Sequence, residues 1–154
     1  MPPRRFGKTS LILEVLQRLK KRGYYTAFID IFTNPGIDLL SLSITGEVLK
    51  NHKLHKQFYK AKNNVLDMLR NVQLKAVIDN FEFIAGFSEK KISNWELIAE
   101  SIDFVDAFSA MHNNEMICVY DEFGDIGKYD RKDELVKLFR SKIQHTFFLA
   151  VTNR

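Results

Sequence analysis

Two short groups of residues in this chain could together do phosphate chemistry: Gly7-Lys8-Thr9-Ser10 near its start and Asp121-Glu122 far downstream. A bound phosphate chain needs converging backbone N–H groups, the positive end of a helix and a mobile cation. Gly7 permits close backbone approach, Lys8 supplies a cation for β- and γ-phosphate oxygens, and the Thr9 hydroxyl can ligate Mg²⁺. The tripeptide gains weight from its position at the opening of an amphipathic segment. Asp121 and Glu122 close the apolar run Met116–Tyr120. Two carboxylates at the end of a buried strand are costly unless a crevice solvates them or a cation engages them. In a parallel α/β sheet that end of a strand is where ligands bind. Asp121 would then hold Mg²⁺ through its water shell, and Glu122 would orient or polarise an attacking water. The plainer alternative is a solvated turn, or an N-cap for the short segment Glu122–Ile126.

The elements that must position these groups are legible from periodicity. From Lys8, the residues Leu11, Ile12, Val15, Leu16 and Leu19 share one helical face, and Glu14, Gln17, Arg18 and Lys21 share the other. Lys20, Lys21 and Arg22 suit the negative end of the helix dipole, with Gly23 as a C′ stop. Tyr24–Phe32 is a continuous apolar, β-rich run of the kind covered on both faces. Asn34-Pro35 predicts an N-cap followed by Pro at N1, with Ile37, Leu40, Ile44 and Val48 as the apolar stripe of that helix. A further helix is expected over about Leu54–Leu69. A β-hairpin is expected between Val72 and Phe87, turning at Asp79-Asn80. Ser93-Asn94-Trp95-Glu96 reads as a capping box, with Ile92 and Leu97 as its hydrophobic staple. The helix it opens runs to about Asn113 and buries Trp95, Ile98, Ile102, Val105 and Phe108. A last amphipathic helix is expected over about Arg131–Gln144, capped by Asp130, before a third buried strand, Thr146–Val151. Three short apolar runs separated by helical segments predict an α/β fold with a parallel sheet.

Composition narrows the classes. The 154 residues are 45% hydrophobic and 27% charged with 7 Gly and 3 Pro, which excludes a disordered, collagenous or low-complexity chain and suits one domain. No apolar run approaches the ~18 residues of a membrane span, and Met1-Pro2-Pro3-Arg4-Arg5 is not expected to belong to a secretory segment. The single Cys118 has no internal disulfide partner, which fits a reducing cytoplasm. The net charge of +4 allows an anionic ligand without singling out nucleic acid. Lys50, Lys53, Lys56, Lys60 and Lys62, with His52 and His55, form a basic stretch that reads as a solvated helix face or a phosphate-backbone contact. Asp30 either lines the Mg²⁺ side of the site or caps the turn before Asn34. Cys118 reads as a core residue, and His112 and His145 suit helix C-termini.

Pro3-Arg4-Arg5-Phe6-Gly7-Lys8-Thr9-Ser10-Leu11-Ile12 resembles the Walker A segment of the archaeal-type P-loop ATPases of the AAA+/STAND group. Ile117-Cys118-Val119-Tyr120-Asp121-Glu122-Phe123 is similar to their Walker B segment, and Tyr24–Phe32 to their second strand. Ala150-Val151-Thr152-Asn153-Arg154 resembles the end of their sensor-1 strand, with Thr152 as the sensing residue and Asn153 as the alternative. The resemblance implies a P-loop NTPase fold: three layers, α/β/α, around a parallel core sheet, with an inserted β-hairpin. It implies one partial domain over residues 1–154, with Walker A at 3–10, Walker B at 116–122 and the sensor-1 strand at 146–152. It further implies ATP and Mg²⁺ as ligands. Arg5, Phe6, Gly7, Lys8, Thr9, Ser10 and Asp121 would surround the nucleotide, Thr9 and Asp121 the metal. Glu122, Lys8 and Thr152 would serve catalysis.

Two departures qualify the expectation. Pro2 stands where the loop's first glycine belongs, which fixes φ and removes an N–H. The family's sheet order 5-1-4-3-2 places a strand before the phosphate loop and another after the sensor strand, so the first and last core strands are expected to be missing and the domain truncated at both ends. The resemblance implies a parent that hydrolyses ATP as a conformational switch, with an arginine from a neighbour completing catalysis and the isolated chain weak or inactive. Its partners would be the nucleotide and a homo-oligomer or other ATPase subunits, with nucleic acid reached only through missing domains and no membrane contact. The alternatives are an inactive nucleotide-binding or interaction fragment and a basic nucleic-acid-binding module.

Overall fold

A computed structural model describes residues 7–51, 93–129, 133–142 and 147–151. The expected helix Leu54–Leu69 and hairpin Val72–Phe87, most of the basic stretch, His145, Asp130 and Ile92 lie outside the described residues, as do Pro2, Arg5, Phe6, Thr152 and Asn153. Helix α1 spans Lys8–Lys21. Gly23 follows it with φ 97°, a backbone that L side chains rarely adopt, so the expected glycine stop is present. Strand β1 spans Tyr25–Asp30, helix α2 Ile37–Leu49, helix α3 Asn94–Met111 and strand β2 Met116–Asp121. A 3-10 helix over Phe123–Lys128, helix α4 over Glu134–Lys142 and strand β3 over Phe147–Ala150 complete the described chain.

The fold is α/β with a parallel sheet. The strands lie in the order β1-β2-β3. Tyr25 pairs with Met116 and Asp30 with Asp121 at the two ends of the first ladder. Ile117 pairs with Phe147 and Tyr120 with Ala150 in the second. Parallel strands require long crossovers, and the helices that supply them also build the core. Helices α2 and α3 pack on each other, α2 also on β1 and α3 on β2. Leu40, Ile44, Val48 and Leu49 of α2 meet a core that includes Ile98, Ile102 and Phe108 of α3. Because α2 is covered nearly all round, its hydroxyls are buried too. Ser41 donates to the Ile37 carbonyl at 2.7 Å and Thr45 to the Ser41 carbonyl at 3.0 Å, which satisfies them inside the helix.

The capping box at α3 is formed. The Glu96 amide donates to Ser93 Oγ at 3.2 Å and the Ser93 amide to Glu96 Oε2 at 2.8 Å. The outer edge of β1 is covered by a side-chain amide. Asn51 accepts from the Thr26 N–H at 3.1 Å and donates to the Thr26 carbonyl at 2.9 Å, as a neighbouring strand would. Cys118 is a core residue, and burial pushes its thiol far above the ordinary value. His112 caps the C-terminus of α3 with its ring 4.4 Å from that of Phe108.

Two local expectations are corrected. Asn34 is not the N-cap of α2, which begins two residues later with Gly36 at the cap. The Asn34 side chain is already engaged, donating to the Asp30 carbonyl at 2.7 Å, and its amide donates to the Ile31 carbonyl at 3.1 Å. A turn that closes β1 has taken the residue the helix would have used. The α1 stripe is also only partly covered: Leu16 is buried, whereas Leu11 is 62% and Val15 46% exposed. Among the described strands α1 packs chiefly on β1, too narrow a contact to cover the whole apolar face. No helix among the described residues is long and apolar enough to cross a membrane.

Candidate functional site

The site forms where the first turn of α1 meets the C-terminal end of β2. Gly7 is the N-cap of α1 at φ 145° and ψ −42°. A Cβ there would meet nothing within 4 Å, so it is the backbone angle, not crowding, that demands glycine. Gly7 has no side chain to cap this helix end, and no acidic residue occupies its first turn. The amides of a first helical turn have no intrahelical acceptor, and together with the dipole they favour an anion. Lys8, Thr9 and Ser10 all lie exposed on that turn.

Asp121, the last residue of β2, is 4% exposed. The Thr9 hydroxyl donates to its Oδ2 at 2.8 Å, across 112 residues of sequence. Its Oδ1 accepts the Glu122 N–H at 3.0 Å, so both carboxylate oxygens of this buried group are engaged. Glu122 follows in the left-handed region, at φ 54° and ψ 39°, and heads the 3-10 helix. The two sequence groups therefore meet, through Thr9 and Asp121, with Lys8 and Glu122 adjacent to the contact on either side. Thr152, Arg5 and Phe6 lie outside the described residues.

Asp30 ends β1 in register with Asp121. Its Oδ1 accepts the Phe32 N–H at 3.0 Å, so it closes the turn after β1. Desolvation by burial pushes its carboxyl above the ordinary 3.8, helped by the charges of Asp121 and Asp125 and opposed by the Phe32 and Thr33 amides. The folded chain therefore binds this proton more tightly than the unfolded chain. The Asp30 contribution to stability is fully present below pH 3.8 and is lost as pH rises through the folded value. Asp30→Asn, which keeps an acceptor for Phe32, is expected to flatten that part of the profile. Urea unfolding of both proteins at a series of pH values around 3.8 checks it; parallel profiles would contradict the assignment.

Sequence reasoning missed Tyr129. Its hydroxyl donates to the Ile31 carbonyl at 2.9 Å and also reaches the Asn34 carbonyl. Nothing in the local pattern after Lys128 signals this, because the partners lie 98 and 95 residues earlier, in the turn that follows β1. Among the described residues no group of three or more His, Cys, Asp and Glu converges on a metal position. The donor set at the contact is one hydroxyl and one carboxylate. That fits Mg²⁺, which takes few protein oxygens and fills its octahedron with phosphate and water, and does not fit a site built wholly by protein.

Compared with protein-family models, curated proteins and solved structures, the chain finds no significant match.

Proposed function

We propose that this chain binds Mg²⁺–ATP at the α1–β2 junction as part of a P-loop ATPase domain, with ATP hydrolysis as the reaction. The observation that carries the reading is the 2.8 Å hydrogen bond from Thr9 to Asp121. A hydroxyl directly after Lys8 and a carboxylate directly before Glu122 share one position, and that position lies at the open N-terminus of α1. Amides of the first turn of α1 hold phosphate oxygens, and the Lys8 ammonium neutralises those of the β- and γ-phosphates. Ser10 of the same turn contacts the nucleotide, and the Walker A resemblance assigns Arg5 and Phe6 to it as well. Thr9 and Asp121 hold the Mg²⁺, which neutralises charge on the phosphate oxygens. Glu122 takes a proton from the water that attacks the γ-phosphorus, and the bond to the β–γ bridging oxygen breaks to give ADP and phosphate. Thr152 senses the γ-phosphate. Nucleotide-dependent change at this junction makes the domain a conformational switch, with homo-oligomeric or other ATPase subunits as partners.

The test is titration of a fluorescent ATP analogue with and without Mg²⁺. In the wild type, chelating the metal is expected to weaken binding about tenfold, the size of one charge-assisted contact. In Thr9→Val, which removes the hydroxyl and keeps the shape, that difference shrinks to about twofold or less. Equal Mg²⁺ dependence in the two proteins would remove Thr9 from the metal, and no binding at all would remove the nucleotide.

A further inference from the structure

Glu122 carries a conformation that its own residue type does not favour. A left-handed backbone is unfavourable for a non-glycine residue and persists only where surrounding contacts fix it. At the near end those contacts are local. The Glu122 N–H donates to Asp121 Oδ1 at 3.0 Å, the Phe123 N–H to the Val151 carbonyl at 2.8 Å, and the Asp125 N–H to the Glu122 carbonyl at 2.8 Å. The far end of the 3-10 helix is held by Tyr129, whose hydroxyl lies 2.9 Å from the Ile31 carbonyl oxygen and within reach of that of Asn34. One phenolic proton serves one of these acceptors at a time. The Ile31 N–H in turn donates to the Asp121 carbonyl at 3.1 Å. A closed circuit results. It runs from Asp121 through Glu122 and the 3-10 helix to Tyr129, across the hydroxyl to Ile31, and back by the sheet ladder to Asp121.

The receiving turn is itself well held. The Asn34 amide donates to the Ile31 carbonyl at 3.1 Å, and Thr33 Oγ1 and Asn34 Nδ2 donate to the Asp30 carbonyl at 3.0 and 2.7 Å. Burial, with the charges of Asp125 and Asp30, pushes the Tyr129 phenol up to about 12, so it keeps its proton and remains a donor at neutral pH.

We propose that Tyr129 is a positioning residue for Glu122: by tying the 3-10 helix to the Ile31–Asn34 turn, its hydroxyl holds the Glu122 backbone in the left-handed conformation directly after Asp121, from which the side chain departs. The proposal rests on the ATPase reading, since it assigns Tyr129 to the hydrolytic step of that site. It separates Tyr129 from the nucleotide contacts: binding belongs to α1 and to Asp121, whose bond from Thr9 does not pass through Tyr129, and the chemical step belongs to Glu122.

Tyr129→Phe keeps the ring and removes the bond. Three measurements on the full chain decide the matter: amide hydrogen exchange, affinity for a fluorescent ATP analogue with Mg²⁺, and hydrolysis under single-turnover conditions. Exchange of the Phe123–Lys128 amides is expected to rise about fivefold, the scale of one hydrogen bond, with the amides of α3 unchanged. Affinity stays within about twofold while the hydrolysis rate falls about tenfold, the split of a group that acts only in the transition state. Unchanged exchange at Phe123–Lys128, or equal acceleration throughout α3, overturns the proposal, as does a Tyr129→Phe protein that hydrolyses ATP at the wild-type rate. A wild-type chain that binds no ATP analogue overturns the ATPase reading and the positioning role together.

Discussion

Glu122→Gln is expected to bind Mg²⁺–ATP within about twofold of the wild type and to hydrolyse it about 10²–10³-fold more slowly, the range of a lost general base. Gln keeps the length of the side chain and its capacity to accept a hydrogen bond. It does not accept a proton from the attacking water at neutral pH. The Glu122 N–H to Asp121 Oδ1 bond is a backbone bond and survives the change, so the carboxylate proposed to hold Mg²⁺ keeps its geometry. Binding and chemistry should therefore separate cleanly. Single-turnover hydrolysis with enzyme in excess, beside equilibrium titration of the same preparation, measures both. Retained turnover in Glu122→Gln would strip Glu122 of its catalytic role.

The second large effect belongs to Lys8. Lys8→Ala is expected to weaken ATP binding by about 10²-fold or more, because it removes a charge-assisted contact to two phosphates at once. The loss should exceed that from a lysine elsewhere on the surface. No acidic side chain in the first turn of α1 competes for this cation, and the N-cap beside it, Gly7, contributes no side chain. The attraction that remains comes from the helix N-terminus, about 1 kcal/mol or less at an exposed end, and from the Mg²⁺ proposed to lie between Thr9 and Asp121. Titration with the fluorescent analogue at one fixed ionic strength reads this directly. The same variant separates the ATPase reading from that of a basic nucleic-acid-binding module. Binding to nucleic acid that survives Lys8→Ala and falls steeply with salt would place recognition in the Lys50–Lys62 stretch instead.

The identity of the site's groups and the elements that carry them were legible because their signals are local. The capping box at Ser93–Glu96 needs only residues three apart, and it is formed. The glycine stop at Gly23 needs one residue, and its φ of 97° meets the expectation. The apolar runs that became β1, β2 and β3 announced a parallel sheet, though the burial expected of the third is not met at Leu149, which is 50% exposed. Local signals failed where a distant partner competed. Asn34-Pro35 has the composition of a helix start, but the Asp30 carbonyl takes the Asn34 amide and the helix begins later, behind Gly36. The α1 stripe has the right period, yet only Leu16 among its residues is fully covered, because periodicity reports which face is apolar and not how much lies against it.

By itself the sequence determined which groups could do chemistry: a glycine, a lysine and a hydroxyl at a helix start, and a carboxylate pair at a strand end. Side-chain type and period are properties of neighbouring residues, and they survive without knowledge of the rest of the chain. Only the tertiary structure decided that Thr9 and Asp121 stand 2.8 Å apart, that Glu122 is left-handed, and that Tyr129 closes a circuit through Ile31. Each depends on how α1, the turn after β1 and the segment after β2 are laid against one sheet. That arrangement is set by packing between elements distant in sequence, and no short window of residues encodes it.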